Sequence, residues 1–156
     1  YECELAVVLG KDARDVPAGQ TRDYIFGYTI LNDVSARDVQ TAHKQWYFGK
    51  SLDGFTPIGP CIVTADAFAD YPPRLGIRSF VNGEKRQDSN TALQIFDIDH
   101  VIAELSQGMT LKAGTIIATG TPAGVGMGMD PPQFLKPGDV VRCEIEGIGT
   151  LTNPVN

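Results

Sequence analysis

The sequence predicts an α+β fold in which β structure predominates, and three observations carry that reading. Ten prolines and seventeen glycines are spread along 156 residues, which cuts the chain into short strands and turns and leaves no room for a helical bundle. Short apolar runs rich in β-branched and aromatic residues recur between those breakers. Only one segment has a clear helical stripe: Ile98, Val101, Ile102 and Leu105 stand at i, i+3, i+4 and i+7.

Taken in order, residues 3–9 form an apolar run that reads as a buried strand, followed by a polar loop over 11–19. Residues 26–33 repeat the strand signature. A short helix is expected next, with Ser35 as its cap and Asp38 three residues later in a capping-box pattern. Residues 62–64 and 75–81 are strand-like, and Asn82-Gly83 is a two-residue hairpin turn, since both residues tolerate positive φ. The amphipathic helix at Ile98 should stop near Gly108. A hydrophobic strand over 115–118 runs into a glycine-rich turn. Val141, Cys143 and Ile145 then alternate with Arg142, Glu144 and Glu146, as in a half-buried antiparallel strand. No repeat, low-complexity tract or linker interrupts residues 1–156, so a single domain is expected. The chain opens on Tyr1 within strand-like sequence, and an upstream portion of the protein is therefore expected.

Composition narrows the function classes. A net charge of −6 and a pI near 4.8 argue against a basic surface for nucleic acid. No apolar stretch approaches the ~20 residues that span a bilayer, and no signal peptide is visible. Three cysteines (Cys3, Cys61 and Cys143) are odd in number and lack metal-finger spacing, so reduced thiols and a cytoplasmic setting are expected.

Four segments depart from purely structural patterning. Glu2 and Glu4 are two residues apart at the head of the first strand, so their carboxylates project from the same face. Like charges side by side repel, and a divalent cation with a taste for oxygen ligands (Mg²⁺, Mn²⁺ or Ca²⁺) would reconcile them; a solvated acidic edge is the plain alternative. Asp33 stands where a buried strand gives way to a helix, and Asp33, Arg37 and Gln40 are spaced to align on one helical face. Such a stripe can serve a metal and an acid oxygen beyond it, or be an ordinary surface ion pair. Lys50 lies among Trp46, Tyr47, Phe48 and a Gly/Pro-rich stretch able to desolvate an ammonium, although most lysines are plain surface residues. Lastly, Thr119-Gly120-Thr121-Pro122-Ala123-Gly124 offers backbone amides and a hydroxyl to an anion, or is a tight connection only. His43 and His100 have no ligand spacing and read as structural.

Together these phrases resemble the fumarylacetoacetate hydrolase family: Glu2-Cys3-Glu4-Leu5-Ala6-Val7-Val8, Asn32-Asp33-Val34-Ser35-Ala36-Arg37-Asp38, Gly49-Lys50-Ser51-Leu52-Asp53, Asn82-Gly83-Glu84 and Thr119-Gly120-Thr121-Pro122-Ala123-Gly124-Val125-Gly126. The resemblance implies a mixed β-sandwich roll, found as a homodimer, in which Glu2, Glu4 and Asp33 ligate Mg²⁺ or Mn²⁺. It implies that Lys50 is the acid–base or oxyanion-stabilising group and that Arg37, Gln40 and Thr121 hold a keto-acid substrate. The implied chemistry is enolate formation on a 2-keto or 2,4-diketo (di)carboxylic acid from aromatic catabolism, leading to isomerisation, decarboxylation or C–C hydrolysis. Hydrolysis needs a further water-activating base on an upstream lid. A non-enzymatic metal- or ligand-binding domain of the same fold is the alternative.

Overall fold

A computed structural model describes residues 1–156, apart from the side chain of His43. Eight strands form two antiparallel four-stranded sheets packed face to face. The first sheet contains β1 (Cys3–Leu9), β2 (Ile25–Asn32), β3 (Ile58–Thr64) and β6 (Ile116–Ala118), in the order β3-β2-β1-β6. The second contains β4 (Gly76–Val81), β5 (Glu84–Asn90), β7 (Val140–Ile145) and β8 (Gly149–Pro154), in the order β5-β4-β7-β8. Three helices complete the fold: α1 (Arg37–His43), α2 (Trp46–Lys50) and α3 (Ile98–Gly108). The mixed, mainly β architecture agrees with the expectation from breaker density.

Strand β1 is internal to its sheet and buried along its whole length. Its residues Cys3, Leu5, Val7 and Leu9 enter the core with Tyr28 and Ile30 of β2, Ile77 and Val81 of β4, and the alternating Val141, Cys143 and Ile145 of β7. Because the side-chain period of a strand is two, committing the odd positions to the core places Glu2 and Glu4 on the other face. Cys3 pairs with Asn32 and Glu4 with Leu31, and the Asp33 N–H donates to the Glu2 carbonyl at 2.9 Å. Register therefore puts Asp33 directly across from Glu2.

Several local readings need correction. Ser35 does not cap α1; its hydroxyl donates back to the Asp33 carbonyl at 2.9 Å, and Ala36 occupies the cap position without a side-chain bond. The helix begins at Arg37, so Asp33 precedes it and is not on a common helical stripe with Arg37 and Gln40. Helix α3 is capped by Asp97, whose carboxylate accepts from the His100 N–H at 2.8 Å. Gly108 is its last helical residue, and the chain leaves through an extended Met109 without a left-handed turn. The Asn82-Gly83 turn does join β4 to β5, with φ of 51° and 84°. No helix among the described residues is long and apolar enough to cross a membrane.

Candidate metal centre

Three segments converge on one carboxylate cluster. Glu2, Glu4 and Asp33 each offer an oxygen, and these oxygens lie within 4.8 Å of one another. Glu2 and Glu4 are buried, and Asp33 is half-buried. Lys50 reaches them from the end of α2: its ammonium donates to Glu2 Oε2 at 2.8 Å and to Asp33 Oδ2 at 2.6 Å. Arg37, at the head of α1, donates through Nη2 to Glu2 Oε1 and through Nη1 to Gln40 Oε1 at 3.0 Å. Three carboxylates against two cations leave one negative charge in excess.

The delivery of Lys50 depends on a glycine. The Ala36 N–H donates to the Gly49 carbonyl at 2.9 Å, tying α2 against the start of α1. A Cβ at Gly49 would sit 2.8 Å from the Gln40 nitrogen and 2.9 Å from the Ala36 carbonyl oxygen, closer than real Cβ contacts come. The Lys50 side chain is 18% exposed, while two of its neighbouring aromatics are largely open to solvent. Trp46 and Tyr47 are 69% and 78% exposed.

A fourth segment closes the cluster from β6. The Gly120 N–H donates to Glu4 Oε2 at 2.8 Å, and the Thr121 hydroxyl donates to the Cys3 carbonyl at 2.8 Å while accepting from Gln87 Nε2 at 2.8 Å. The glycine-rich turn thus grips β1 on either side of Glu4. Gly124 closes that turn at φ +109°, where a Cβ would lie 2.0 Å from the Arg86 carbonyl oxygen; only glycine fits.

Burial and charge tune the acids differently. Burial raises the Glu2 carboxyl, but the hydrogen bonds from Lys50 and Arg37 outweigh it and hold the group below its ordinary range. Glu4 has one backbone donor only, and burial, with the charges of Asp33 and Glu2, pushes it up to about 7. Asp33 is raised chiefly by burial, with Lys50 opposing and Glu2 reinforcing. A cluster in which two acids are pushed toward neutrality by burial and by each other is chemically fitted to a hard dication, which would supply the charge these oxygens lack.

Two residues escaped sequence reasoning. Gln87 is fully buried: its Oε1 accepts from the Cys3 N–H at 3.1 Å and the Ser79 hydroxyl at 2.7 Å, while its Nε2 donates to Thr121 and to the Pro122 carbonyl at 2.7 Å. It fastens β5 of one sheet to the acidic strand of the other. Asn32, also buried, accepts the Glu2 N–H at 3.1 Å. His100 stacks on Phe96 at 4.8 Å, and the side chain of His43 lies outside the described residues.

Two cavities are lined in part by residues that hold the cluster. One of about 770 Å³ borders it through Asn32 and Arg37, and one of about 480 Å³ borders it through Gly120, Thr121 and Leu5. The three carboxylates line neither.

Comparison with known proteins agrees with this architecture. Residues 1–156 match the fumarylacetoacetate (FAA) hydrolase C-terminal family. Oxaloacetate tautomerase YisK of Bacillus subtilis (strain 168) is 50% identical over 155 residues, covering 99% of this chain and 51% of that protein. The structure of a fumarylacetoacetate hydrolase from psychrophilic Exiguobacterium antarcticum superposes with a TM-score of 0.96 at 52% identity, covering 100% of this chain and 56% of that one. A 2-hydroxyhepta-2,4-diene-1,7-dioate isomerase from Mycobacterium marinum gives a TM-score of 0.87 at 46% identity, covering 98% and 56%. The chain spans about half the length of the curated relatives it matches. On this sequence and this fold, the chain belongs to the fumarylacetoacetate hydrolase family.

Proposed function

We propose that this chain carries the catalytic centre of a divalent-metal-dependent enzyme that moves a proton on 2-keto or 2,4-diketo acids, in the isomerase or tautomerase branch of the family. The observation behind this reading is the convergence of Glu2, Glu4 and Asp33 within 4.8 Å beside the Lys50 ammonium. Glu2, Glu4 and Asp33 would hold Mg²⁺ or Mn²⁺, which when bound supplies Lewis acidity toward an α-keto acid.

The chain's own residues do the remainder. Lys50, fixed by Glu2 and Asp33, presents an N–H beside the acids, where enolisation places negative charge on the keto oxygen. It can deliver a proton to that oxygen while the proton of the C–H bond alpha to the carbonyl passes to solvent water, and take it back in the reverse direction. Arg37, held by Glu2 and Gln40, offers a guanidinium for the substrate carboxylate, with Gln40 and Thr121 completing the seat. The tie from Gly49 to α1 keeps Lys50 in place between turnovers, and preorganisation of this kind is what makes such a donor effective. A homodimer in the cytoplasm is part of the same reading, supported by resemblance.

The test is exchange of solvent deuterium at C3 of oxaloacetate and of an acylpyruvate, followed by NMR. Mg²⁺-dependent exchange above background, abolished by EDTA and by Lys50→Ala, is expected. Exchange that ignores both treatments, or none with any keto acid, would overturn the reading.

A further inference from the structure

The two glutamates at the head of β1 are held by different means. Lys50 and Arg37 grip Glu2 through its carboxylate, whereas the Glu4 carboxylate accepts one hydrogen bond among the described residues, from the Gly120 N–H at 2.8 Å. The position of Glu4 therefore depends on the backbone that flanks it. Main-chain pairing of β1 with β6 covers Ala6 to Val8 and ends before Glu4 is reached. Beyond that point the Thr119 N–H meets the Leu5 carbonyl at 3.3 Å, and Gly120, at φ +95°, turns its own N–H to Glu4.

Threonine hydroxyls continue the ladder where the main chain leaves it. Thr119 Oγ1 donates to the Leu5 carbonyl at 2.7 Å and Thr121 Oγ1 to the Cys3 carbonyl at 2.8 Å, one on each side of Glu4. Each hydroxyl accepts in turn from a glutamine amide at 2.8 Å, Thr119 from Gln94 and Thr121 from Gln87. A hydroxyl carries one proton, so an amide N–H arriving at the oxygen leaves that proton to the strand carbonyl. The glutamines thereby fix the direction of both bonds. Gln87 Oε1 also accepts the Cys3 N–H at 3.1 Å, which closes a ring through Gln87, Cys3 and Thr121. The same arrangement of glutamine, threonine and strand carbonyl thus occurs twice, before Glu4 and after it.

We propose that Thr119 and Thr121, with Gln94 and Gln87 behind them, are positioning residues that fix the reach of Glu4 and so make the centre select Mg²⁺ over Ca²⁺, an inference that rests on the metal centre proposed above. The reason is rigidity. Mg²⁺ demands near-ideal octahedral geometry at about 2.0–2.1 Å, whereas Ca²⁺ accepts oxygens at about 2.3–2.6 Å in irregular shells. A strand clamped at the carbonyls on both sides of Glu4 denies that carboxylate the freedom a larger ion exploits. Slackening either clamp weakens the demanding ion more than the tolerant one.

Calorimetric titration with Mg²⁺ and, separately, with Ca²⁺ decides it, using the unaltered protein, Thr119→Val, Thr121→Val and Thr119→Ser. Valine keeps the threonine shape and removes the hydroxyl. The unaltered protein should bind Mg²⁺ more tightly than Ca²⁺. Each valine variant should lower Mg²⁺ affinity by about tenfold and Ca²⁺ affinity by less, which narrows the ratio. In metal-free protein the Gly120 amide should exchange its hydrogen faster in both valine variants, and Thr119→Ser should restore the ratio and the exchange rate. Thr91→Val is the control, because the Thr91 hydroxyl is buried and also makes two bonds, donating to the Pro73 carbonyl and accepting the Leu75 N–H, with partners outside β1. It should lower stability in urea and leave the ratio of the two ions unchanged. A ratio unmoved in both valine variants, moved as far by Thr91→Val, or favouring Ca²⁺ in the unaltered protein overturns the inference and leaves the metal centre standing. Binding of neither ion by the unaltered protein overturns the metal centre and the inference together.

Discussion

Asp33 and Asp88 each accept a lysine ammonium at nearly the same distance, 2.6 Å from Lys50 and 2.5 Å from Lys85, yet their carboxyls shift in opposite directions. Asp88 has Arg78 as a second partner, is 42% exposed, and is held below its ordinary range by hydrogen bonds from Lys85 and Arg78. Asp33 is 20% exposed and shares its lysine with Glu2; burial raises it despite the ion pair. Identical chemistry thus makes a solvated surface pair in one sheet and a charge-frustrated cluster in the other. What separates them is register: β1 commits its odd residues to the core and drives two acids under cover, where Asp33 meets them.

The comparison breaks most sharply at the lysines. Lys50→Ala should lower turnover on an enolisable keto acid by about 10²–10³-fold, the usual effect of losing one stabiliser of developing charge. Lys85→Ala should leave turnover where it was, and steady-state kinetics on both variants checks the pair.

The next effect concerns how the buried cluster is tied down. Gln87→Leu removes the acceptor of the Cys3 N–H and the donor to Thr121. Leaving those buried groups without partners should cost about 3 kcal/mol in urea unfolding. Such a loss has no counterpart at the exposed Asp88 cluster.

A third effect is pH-dependent. The Glu4 carboxyl sits at about 7 in the folded protein against an ordinary value of 4.5. Its folded value is raised, so its stabilising contribution is complete below about 4.5 and is lost as pH climbs through about 7. Metal-free protein should lose on the order of 2–3 kcal/mol across that window, followed by thermal melts at stepped pH. The raised Asp33 adds in the same direction. Glu2, which is depressed, acts only as pH falls below 4.5 and so lies outside the window. Glu4→Gln should flatten the profile, and saturating Mg²⁺ should reverse its slope. At the bottom of the scale, Asp88→Asn should leave both the melting profile and turnover unchanged.

The sequence made the fold legible wherever apolar periodicity is strong. The β1 run, the α3 stripe and the alternation of β7 all correspond to elements found in place. Strand β5 was legible only through the Asn82-Gly83 turn, because Glu84–Asn90 contains no apolar residue and its inward position is taken by Gln87. A polar side chain that is buried because four partners satisfy it leaves no hydrophobic trace in a sequence. Ser35 looked like a cap because spacing shows which residues are near, but not which of two carbonyls and amides a hydroxyl will choose. The shared face of Glu2 and Glu4 follows from strand period alone. Their meeting with Asp33 does not, since it depends on the β1–β2 register across about thirty intervening residues; family resemblance, and not spacing, suggested it.

The measurement closest to the heart of this account is calorimetric titration of metal-free protein with Mn²⁺ near pH 8, where Glu4 is ionised, repeated on Glu4→Gln. One saturable site per chain, weakened by at least about tenfold in the variant, is the outcome this geometry demands. No saturable binding, or equal binding by both proteins, would contradict it.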